Sequence, residues 1–303
     1  MVRPASVLAA LSLAVAGCGG SDPEPRDERA ARAAPRVSLS AEERAAWEPA
    51  AAPRRPGIPV LVYDGVASDD FARQMALLAH AGYETISLGD FARFLRREDV
   101  DLPDRPLLLT FADARLDTWA GSDATLRRHG FNGVLFVDVG AIEKRDREVL
   151  TWRELDRAQR SGRWEVQVEK GTGDREFRFG PEPEDVGSFY AYRGTEEVLG
   201  GWRERVFSDI NYAEQQTAHN VDGYRPLAIA PPDGNYGQAG TNDRHIPREL
   251  LPRLLLSFPI VFTQDRGGIA RPGDRNPIGR IEVTGGVSDA ELRARLRERS
   301  ASS

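Results

Sequence analysis

The sequence predicts an α/β fold, a distorted (β/α) barrel of about seven parallel strands. From Ile58 onward, short apolar segments alternate with amphipathic segments of helical period. Most of the apolar segments are hydrophobic on both faces, which is typical of parallel strands covered by helices. The unit repeats about seven or eight times in roughly 240 residues, which favours closure into a barrel over an open sheet.

The elements follow one another in a regular order. The strand candidates are IPVLVYD, TISL, RPLLLTFAD, NGVLFVDV, WEVQVEKG, PLAIAPP, FPIVFTQ and GRIEV. The helix candidates are SDDFARQMALLAHAGY, GDFARFLRR, DTWAGSDATLRRHG, TWRELDRAQRSG, TEEVLGGWRERVFSDINYAEQQTAHN, IPRELLPRLLL and SDAELRARLRER. In the first helix Phe71, Met75 and Leu78 repeat at helical spacing, and Gly82 ends it. A polar insertion separates WEVQVEKG from the long helix and extends to about Gly194.

The N-terminus has the pattern of an export signal. Arg3 precedes an apolar core of about ten residues and then small residues, a segment too short to remain as a membrane span. The stretch Val15-Ala16-Gly17-Cys18 resembles the bacterial lipobox, which implies cleavage after residue 17 and lipidation of Cys18. Cys18 is the single cysteine of the chain, and an unpaired thiol in an exported protein otherwise lacks a role. The alternative is an ordinary secretory signal that contains a cysteine.

The sequence divides into four segments. Residues 1–17 form the signal, and residues 18–56 are rich in Ala, Pro, Arg and acids, which predicts a flexible tether because too little apolar surface is available for burial. Within the tether, SAEERAAWEPA predicts a short helix capped by Ser40 and Glu43. Residues 57–297 form the folded domain, and residues 298–303 a tail. The expected location is the cell envelope, with a membrane anchor at the outer membrane or on the periplasmic or extracellular face.

Composition excludes several function classes. The chain has 303 residues with 47 acidic and 41 basic side chains, a net charge of −6 that gives no electrostatic basis for binding nucleic acid. Neither a GxGxxG motif nor a P-loop is present, which argues against the nucleotide-binding α/β folds. One cysteine allows no internal disulfide and no cysteine-based metal site.

Acidic side chains follow the predicted strands at the end where barrel active sites lie. They are Asp64, Asp113, Asp138, Glu169 and Asp233. We therefore expect a pocket at this end of the barrel, built from Asp64, Asp113, Glu169 and Asp233.

Several segments, in order and spacing, resemble the NodB-type polysaccharide deacetylases, in particular exported members that act on poly-N-acetylglucosamine or related envelope glycans. IPVLVYDGV resembles the family's opening PVLMYHxV, and RPLLLTFADARLDTW stands where the family has its TFDDG motif. Four further segments resemble the later motifs of the family: TLRRHGFNGVLFV, LTWRELDRAQRSGRWEVQVEKGTG, APPDGNYG and RIEVTGGVSDAELRARL. The resemblance covers Ile58 to about Leu296 and implies the same barrel.

The resemblance also implies a chemistry, metal-assisted amide hydrolysis. In the family one Asp and two His hold zinc or a similar cation, which polarises the acetyl carbonyl and activates water. A second Asp accepts the proton of that water as general base.

The chain departs from this motif set at most of its functional positions. The general base corresponds to Ala112, the metal-binding Asp to Asp113, the motif glycine to Ala114, the two histidines to Glu169 and Gly173, the opening histidine to Asp64, and the arginine of the RPPYG loop to Ala230. An alanine cannot accept a proton and a glycine side chain cannot bind a cation, so the resemblance implies a degenerate site in which Asp113 is the remaining member of an acidic pair.

The expected cofactor follows from these replacements. None of the four histidines, His80, His129, His219 and His245, stands at a motif position, so zinc lacks imidazole ligands and no resident cofactor is expected. Asp64, Asp113 and Glu169 could instead hold a hard divalent cation, Ca²⁺, Mg²⁺ or Mn²⁺, because oxygen ligands suit these ions. The alternatives are polar residues at an exposed barrel mouth, or carboxylates that accept hydrogen bonds from sugar hydroxyls. Four tryptophans, Trp119, Trp152, Trp164 and Trp202, are candidates for stacking on sugar rings, although Trp152 and Trp164 match positions that indicate the core.

Three functions remain open at this level. The first is a catalytically impaired deacetylase-like lipoprotein that binds or processes an envelope polysaccharide. The second is an active hydrolase that removes N- or O-acetyl groups through a rebuilt carboxylate metal site. The third is a structural envelope protein without glycan affinity.

Overall fold

The computed structural model describes residues 33–48, 57–173, 176–265 and 267–298. In these ranges strands and helices alternate as predicted. The strands are β1 (Ile58–Tyr63), β2 (Glu84–Thr85), β3 (Pro106–Phe111), β4 (Gly133–Asp138), β5 (Trp164–Lys170), β6 (Phe177–Arg178), β7 (Val186–Gly187), β8 (Ala228–Ile229), β9 (Ile260–Thr263), β10 (Ile269–Ala270), β11 (Ile278–Gly279) and β12 (Ile281–Val283). The α-helices are α1 (Ala41–Ala46), α2 (Ser68–His80), α3 (Leu88–Leu95), α4 (Leu116–His129), α5 (Val139–Glu143), α6 (Trp152–Arg160), α7 (Leu199–Asn220), α8 (Ile246–Ser257) and α9 (Asp289–Glu298).

The main sheet is mostly parallel and nearly closes into a barrel, with β10 added antiparallel beside β1. Its order is β1-β3-β4-β5-β8-β9-β11, and each neighbouring pair in this path is parallel. Only Arg280 separates β11 from β12, and β12 pairs in parallel with β1. The segment 278–283 therefore contacts β9 through its first half and β1 through its second half, which confirms the predicted distorted (β/α) barrel. The predicted strand TISL contributes only the short β2, which pairs with β3 beside this path.

Two apolar clusters explain why the strands are hydrophobic on both faces. One joins alternating strand residues such as Val60, Leu108 and Phe262 with Phe91 of α3. The other lies between the strands and the surrounding helices and includes Leu61. Because successive side chains of a strand point to opposite faces, residues 60 and 61 contribute to different clusters, and both faces of β1 are covered.

The segment before the barrel packs against it. Ser40 and Glu43 form the predicted capping box at the start of α1, with the Glu43 amide donating to Ser40 Oγ at 3.2 Å. Trp47 is 5% exposed and belongs to the outer cluster, and Arg293 of α9 donates to the Ala46 carbonyl at 2.7 Å. The prediction of a flexible tether over residues 18–56 therefore does not hold for residues 33–48. Residues 18–32 and 49–56, the signal at 1–17 and the tail beyond Glu298 lie outside the described residues.

The polar insertion after β5 contains a small hairpin, β6 and β7, which pair antiparallel. The guanidinium of Arg205 lies 4.3 Å from the ring centroids of both Phe177 and Phe189, and it forms an ion pair with Glu197 at 2.8 Å. These contacts attach the insertion to α7. That helix begins at Leu199, four residues later than the predicted start at Thr195, because Glu197 takes part in the insertion. None of the described helices is long and apolar enough to cross a membrane.

Candidate functional site

A cavity of about 60 Å³ lies at the C-terminal mouth of the barrel. Its lining residues lie within, or shortly after, the seven strands of the barrel path. They are Asp64, Ala112, Phe136, Glu169, Ala230, Pro231, Asp233, Gln264, Arg280 and Glu282. Of the four predicted pocket residues, Asp64, Glu169 and Asp233 line the cavity together and Asp113 does not. Ala112 and Ala230, which the sequence resemblance aligns with the family's base and arginine, form part of its wall.

The turn after β3 explains the position of Asp113. Asp113 and Ala114 have φ angles of 59° and 43°, in the left-handed region that non-glycine residues rarely adopt. The backbone N–H of Asp113 donates to Glu169 Oε2 at 3.3 Å. Asp113 therefore contacts Glu169 through its main chain, and Asp113 is not among the residues that line the cavity.

The end of β5 supplies a buried carboxylate and a buried ammonium that point to opposite faces. Glu169 is 3% exposed and lines the cavity. The next residue, Lys170, is 4% exposed, and its Nζ lies 2.6 Å from Asp138 Oδ2. Asp138 also accepts from the Ala141 amide at the start of α5. Asp138, an acid at a strand end, therefore serves an ion pair and a helix cap beside the cavity.

A single carboxylate of α7 holds the loop that follows β5. Asp209, 7% exposed, accepts hydrogen bonds from the amides of Gly171 (2.9 Å), Thr172 (2.7 Å) and Gly173 (2.9 Å). It also accepts from the Tyr190 hydroxyl at 3.0 Å, and burial raises the pKa of Tyr190, so this hydroxyl stays protonated. Asp209 is not among the residues predicted from the sequence, where its only signal is one acid on the buried face of a long helix.

Arg280 lies at the junction of β11 and β12 with the guanidinium buried at the cavity. The residue is 4% exposed, and its Cζ lies 5.5 Å and 5.8 Å from the ring centroids of Phe136 and Phe262. Nη2 donates to Gln264 Oε1 at 3.3 Å, and Nε lies 3.5 Å from the Thr263 carbonyl oxygen. Nη1 is buried and has no hydrogen-bond partner among the described residues. A buried donor without an acceptor destabilises a fold by about 1–3 kcal/mol, so its retention calls for a reason.

The charge of Arg280 is set by two opposing effects. Burial lowers its pKa to about 10, and the negative charges of Glu169, Glu282 and Asp64 oppose this shift. The guanidinium is therefore positive at neutral pH. Sequence analysis missed Arg280, although one arginine within the apolar run NPIGRIEV was an available signal.

No protein-family model and no curated protein sequence matches this chain. Solved structures do. The de-N-acetylase from Aggregatibacter actinomycetemcomitans is similar with a TM-score of 0.66 at 15% identity, over 78% of this chain and 99% of that one. IcaB from Ammonifex degensii has a TM-score of 0.60 at 20% identity, over 80% and 97%. The Streptococcus pyogenes deacetylase PplD, in complex with acetate, has a TM-score of 0.59 at 17% identity, over 80% and 99%.

The fold is that of the polysaccharide deacetylases. This confirms the barrel that the sequence motifs implied.

The metal site that the resemblance implies does not fit the residues of this deacetylase-like barrel. Among the described residues no three His, Cys, Asp or Glu side chains form a group that could hold a metal ion. A side chain at Gly173 would meet Phe189, because an added Cβ lies 2.3 Å from Phe189 Cδ1. The geometry therefore provides neither the Asp-His-His set nor the predicted hard-cation set of Asp64, Asp113 and Glu169.

The tryptophans do not line the cavity of the deacetylase-like barrel. Trp164 and Trp202 are 1% and 0% exposed, and their Nε1 atoms donate to Asp123 Oδ1 (2.9 Å) and to the Tyr190 carbonyl (3.0 Å). Trp164 is a core residue as expected, and the prediction of sugar stacking is wrong for Trp202. Trp119 and Trp152 are partly buried and pack against the outer cluster.

Proposed function

We propose that the protein binds an N-acetylated polysaccharide of the cell envelope at this cavity and is impaired in metal-dependent deacetylation. One observation carries the proposal: the cavity combines carboxylates from several strand ends with Ala112 at the position of the general base. The carboxylates would bind sugar hydroxyls, and Ala112 offers no group that could accept a proton from water at the position that the sequence resemblance assigns to the general base.

The lining suits a sugar. Asp64, Glu169 and Asp233 offer carboxylate oxygens, which accept hydrogen bonds from hydroxyl groups, and Gln264 offers both a donor and an acceptor. Ala112, Ala230 and Pro231 supply a small apolar wall. In ligand sites a few convergent polar groups of this kind fix the orientation of the bound group.

Two replacements support impaired catalysis. Loss of a general base slows proton transfer by about 10²–10⁴-fold. Loss of the metal removes carbonyl polarisation and the activated water, which is worth several kcal/mol more. Ala112 together with Gly173 removes both contributions.

The proposed location is the envelope, with a lipid anchor at Cys18. Support comes from the export signal at residues 1–17, the lipobox-like Val15-Ala16-Gly17-Cys18 and the absence of any other cysteine in the chain. Membrane attachment would place the cavity next to envelope polysaccharide.

The experiment combines binding and turnover. Calorimetric titration with N-acetylglucosamine oligomers is expected to show binding, and acetate release is expected to be undetectable with zinc, cobalt, manganese, magnesium or calcium. Acetate release that appears with one of these metals and disappears in Asp113→Ala would contradict the proposal of impaired catalysis and establish an active hydrolase. Absence of binding to any envelope glycan would leave the structural role instead.

A further inference from the structure

Arg280 combines three properties that are rarely found together. Its side chain is buried, it carries a positive charge, and Nη1 has no acceptor among the described residues. Buried donors in native structures are almost always paired, and an exception needs a cause such as a ligand. Arg280 is also one of the residues that line the cavity.

The guanidinium is also held in place. The rings of Phe136 and Phe262 lie beside it, Gln264 accepts from Nη2, and the backbone N–H of Arg280 itself donates to the Thr263 carbonyl at 2.9 Å. A fixed donor loses little conformational entropy when it binds, which is why preorganised groups contribute strongly to affinity.

We infer that Arg280 is the cationic group of the ligand site and that its guanidinium donates to the carbonyl oxygen of an acetamido group. The inference rests on the proposed function, glycan binding in the cavity. In the family that the sequence resembles, a metal ion provides the positive charge next to the acetyl carbonyl. Here the side chain of Arg280 provides that charge.

The neighbouring charges select a neutral ligand group. Glu169, Glu282 and Asp64 lie close enough to influence the titration of Arg280. A carboxylate of an acidic sugar would meet these three negative charges as well as the guanidinium, whereas an amide carbonyl meets only the attraction of the donor. The small apolar wall of Ala112, Ala230 and Pro231 matches the methyl end of an acetyl group.

The test measures affinity for N-acetylglucosamine oligomers by calorimetry, with EDTA present and absent. Arg280→Met keeps the length and the apolar packing of the side chain but removes every donor. It is expected to weaken binding by about tenfold to a hundredfold, the range for a hydrogen bond from a charged donor. The matched control is Arg160→Met, an arginine on the exposed surface of α6 paired with Asp156, which is expected to bind like the wild type. The wild-type affinity is expected to be equal with and without EDTA.

The outcomes separate this inference from the proposed function. If the wild type binds no glycan, both fail. If the wild type binds and a folded Arg280→Met protein binds equally well, or if EDTA abolishes wild-type binding and added metal restores it, Arg280 is not the group and glycan binding stands.

If Arg280→Met does not fold, a change of ligand tests the role of Arg280 instead. An N-thioacetyl oligomer keeps the outline of the acetyl group but presents sulfur, a weak acceptor, and wild-type affinity for it is expected to fall about tenfold. Equal affinity for the two oligomers would overturn the inference without any variant.

Discussion

The ring of Phe189 fills the space into which a side chain at Gly173 would extend. An added Cβ would lie 2.3 Å from Phe189 Cδ1, which is far inside contact distance. Phe189 is itself packed against Phe177 and the guanidinium of Arg205, so it cannot move without disturbing the insertion. A side chain at residue 173, which the sequence resemblance aligns with the family's second histidine, would therefore clash with the packed ring of Phe189.

Restoring the motif residues is expected to leave the protein inactive. The triple variant Ala112→Asp, Glu169→His, Gly173→His should release no acetate with zinc, because the imidazole at 173 has no room beside Phe189. Base and metal act on the same water, so partial restoration is not additive. Zinc-dependent acetate release by the triple variant would show that Phe189 can move enough to accommodate a histidine at residue 173.

The same contact gives a stability measurement. Gly173→His is expected to lower the free energy of unfolding by about 1–3 kcal/mol, as overpacking does. The control is Gly200→His in the first turn of α7, where an added Cβ meets no atom within 4 Å. Equal urea midpoints for the two variants would contradict the packing interpretation.

Asp209 provides a second test at the same loop. Asp209→Ala leaves three backbone amides and the Tyr190 hydroxyl without their acceptor, so a loss of about 3 kcal/mol or more is expected. Hydrogen exchange at residues 171–173 should accelerate. Glu204→Ala, an exposed acid on the same helix, serves as control and should stay within about 0.5 kcal/mol of wild type.

The main strands could be predicted because apolar runs such as that of β3 are bounded by turn residues, whereas TISL contributes only to the two-residue β2. The cavity could be predicted in part, since parallel strands place the residues after their C-terminal ends at one edge. This principle located Asp64, Glu169 and Asp233.

Side-chain direction after a strand could not be predicted. It depends on turn dihedrals, and the left-handed angles of Asp113 and Ala114 remove the Asp113 side chain from the cavity lining. The packing of Trp47 was missed for a different reason: the composition of residues 18–56 argues against a core of their own, but one tryptophan can use the core of the neighbouring barrel.

Glu165 predicts a pH effect on stability. Burial raises the pKa of Glu165, while its hydrogen bond from the Leu88 amide at 2.6 Å opposes the shift. The folded state therefore keeps the proton to a higher pH than the unfolded state. The resulting stabilisation is fully present below the unfolded pKa and is lost as the pH rises through the folded pKa.

Glu165→Gln removes this titration and keeps an acceptor for Leu88. Its free energy of unfolding relative to wild type is expected to increase as the pH rises above the unfolded pKa of a glutamate, about 4.3, measured by urea unfolding. Glu84→Gln, an exposed glutamate on β2, is the control. A relative stability of Glu165→Gln that falls over this range would contradict the sign of the shift.

Trp47 tests whether residues 33–48 belong to the folded unit. Trp47→Ala removes a side chain that is 5% exposed and is expected to lower the free energy of unfolding by about 3–5 kcal/mol. Glu48→Ala changes the exposed neighbour and should have little effect. Calorimetric unfolding of both variants compares them directly, and equal transition temperatures would show that the segment adds nothing to the stability of the barrel.

Cys18 tests the proposed anchor. Cys18 lies outside the described residues, so the prediction rests on the lipobox-like sequence alone. Lipidation requires the thiol, and Cys18→Ser is expected to abolish incorporation of labelled fatty acid and to release the protein from membranes or leave the precursor uncut. Ser21→Ala, three residues further on, preserves the thiol and should fractionate with membranes like the wild type. A correctly processed Cys18→Ser protein that partitions as the wild type does would show that the segment is an ordinary secretory signal.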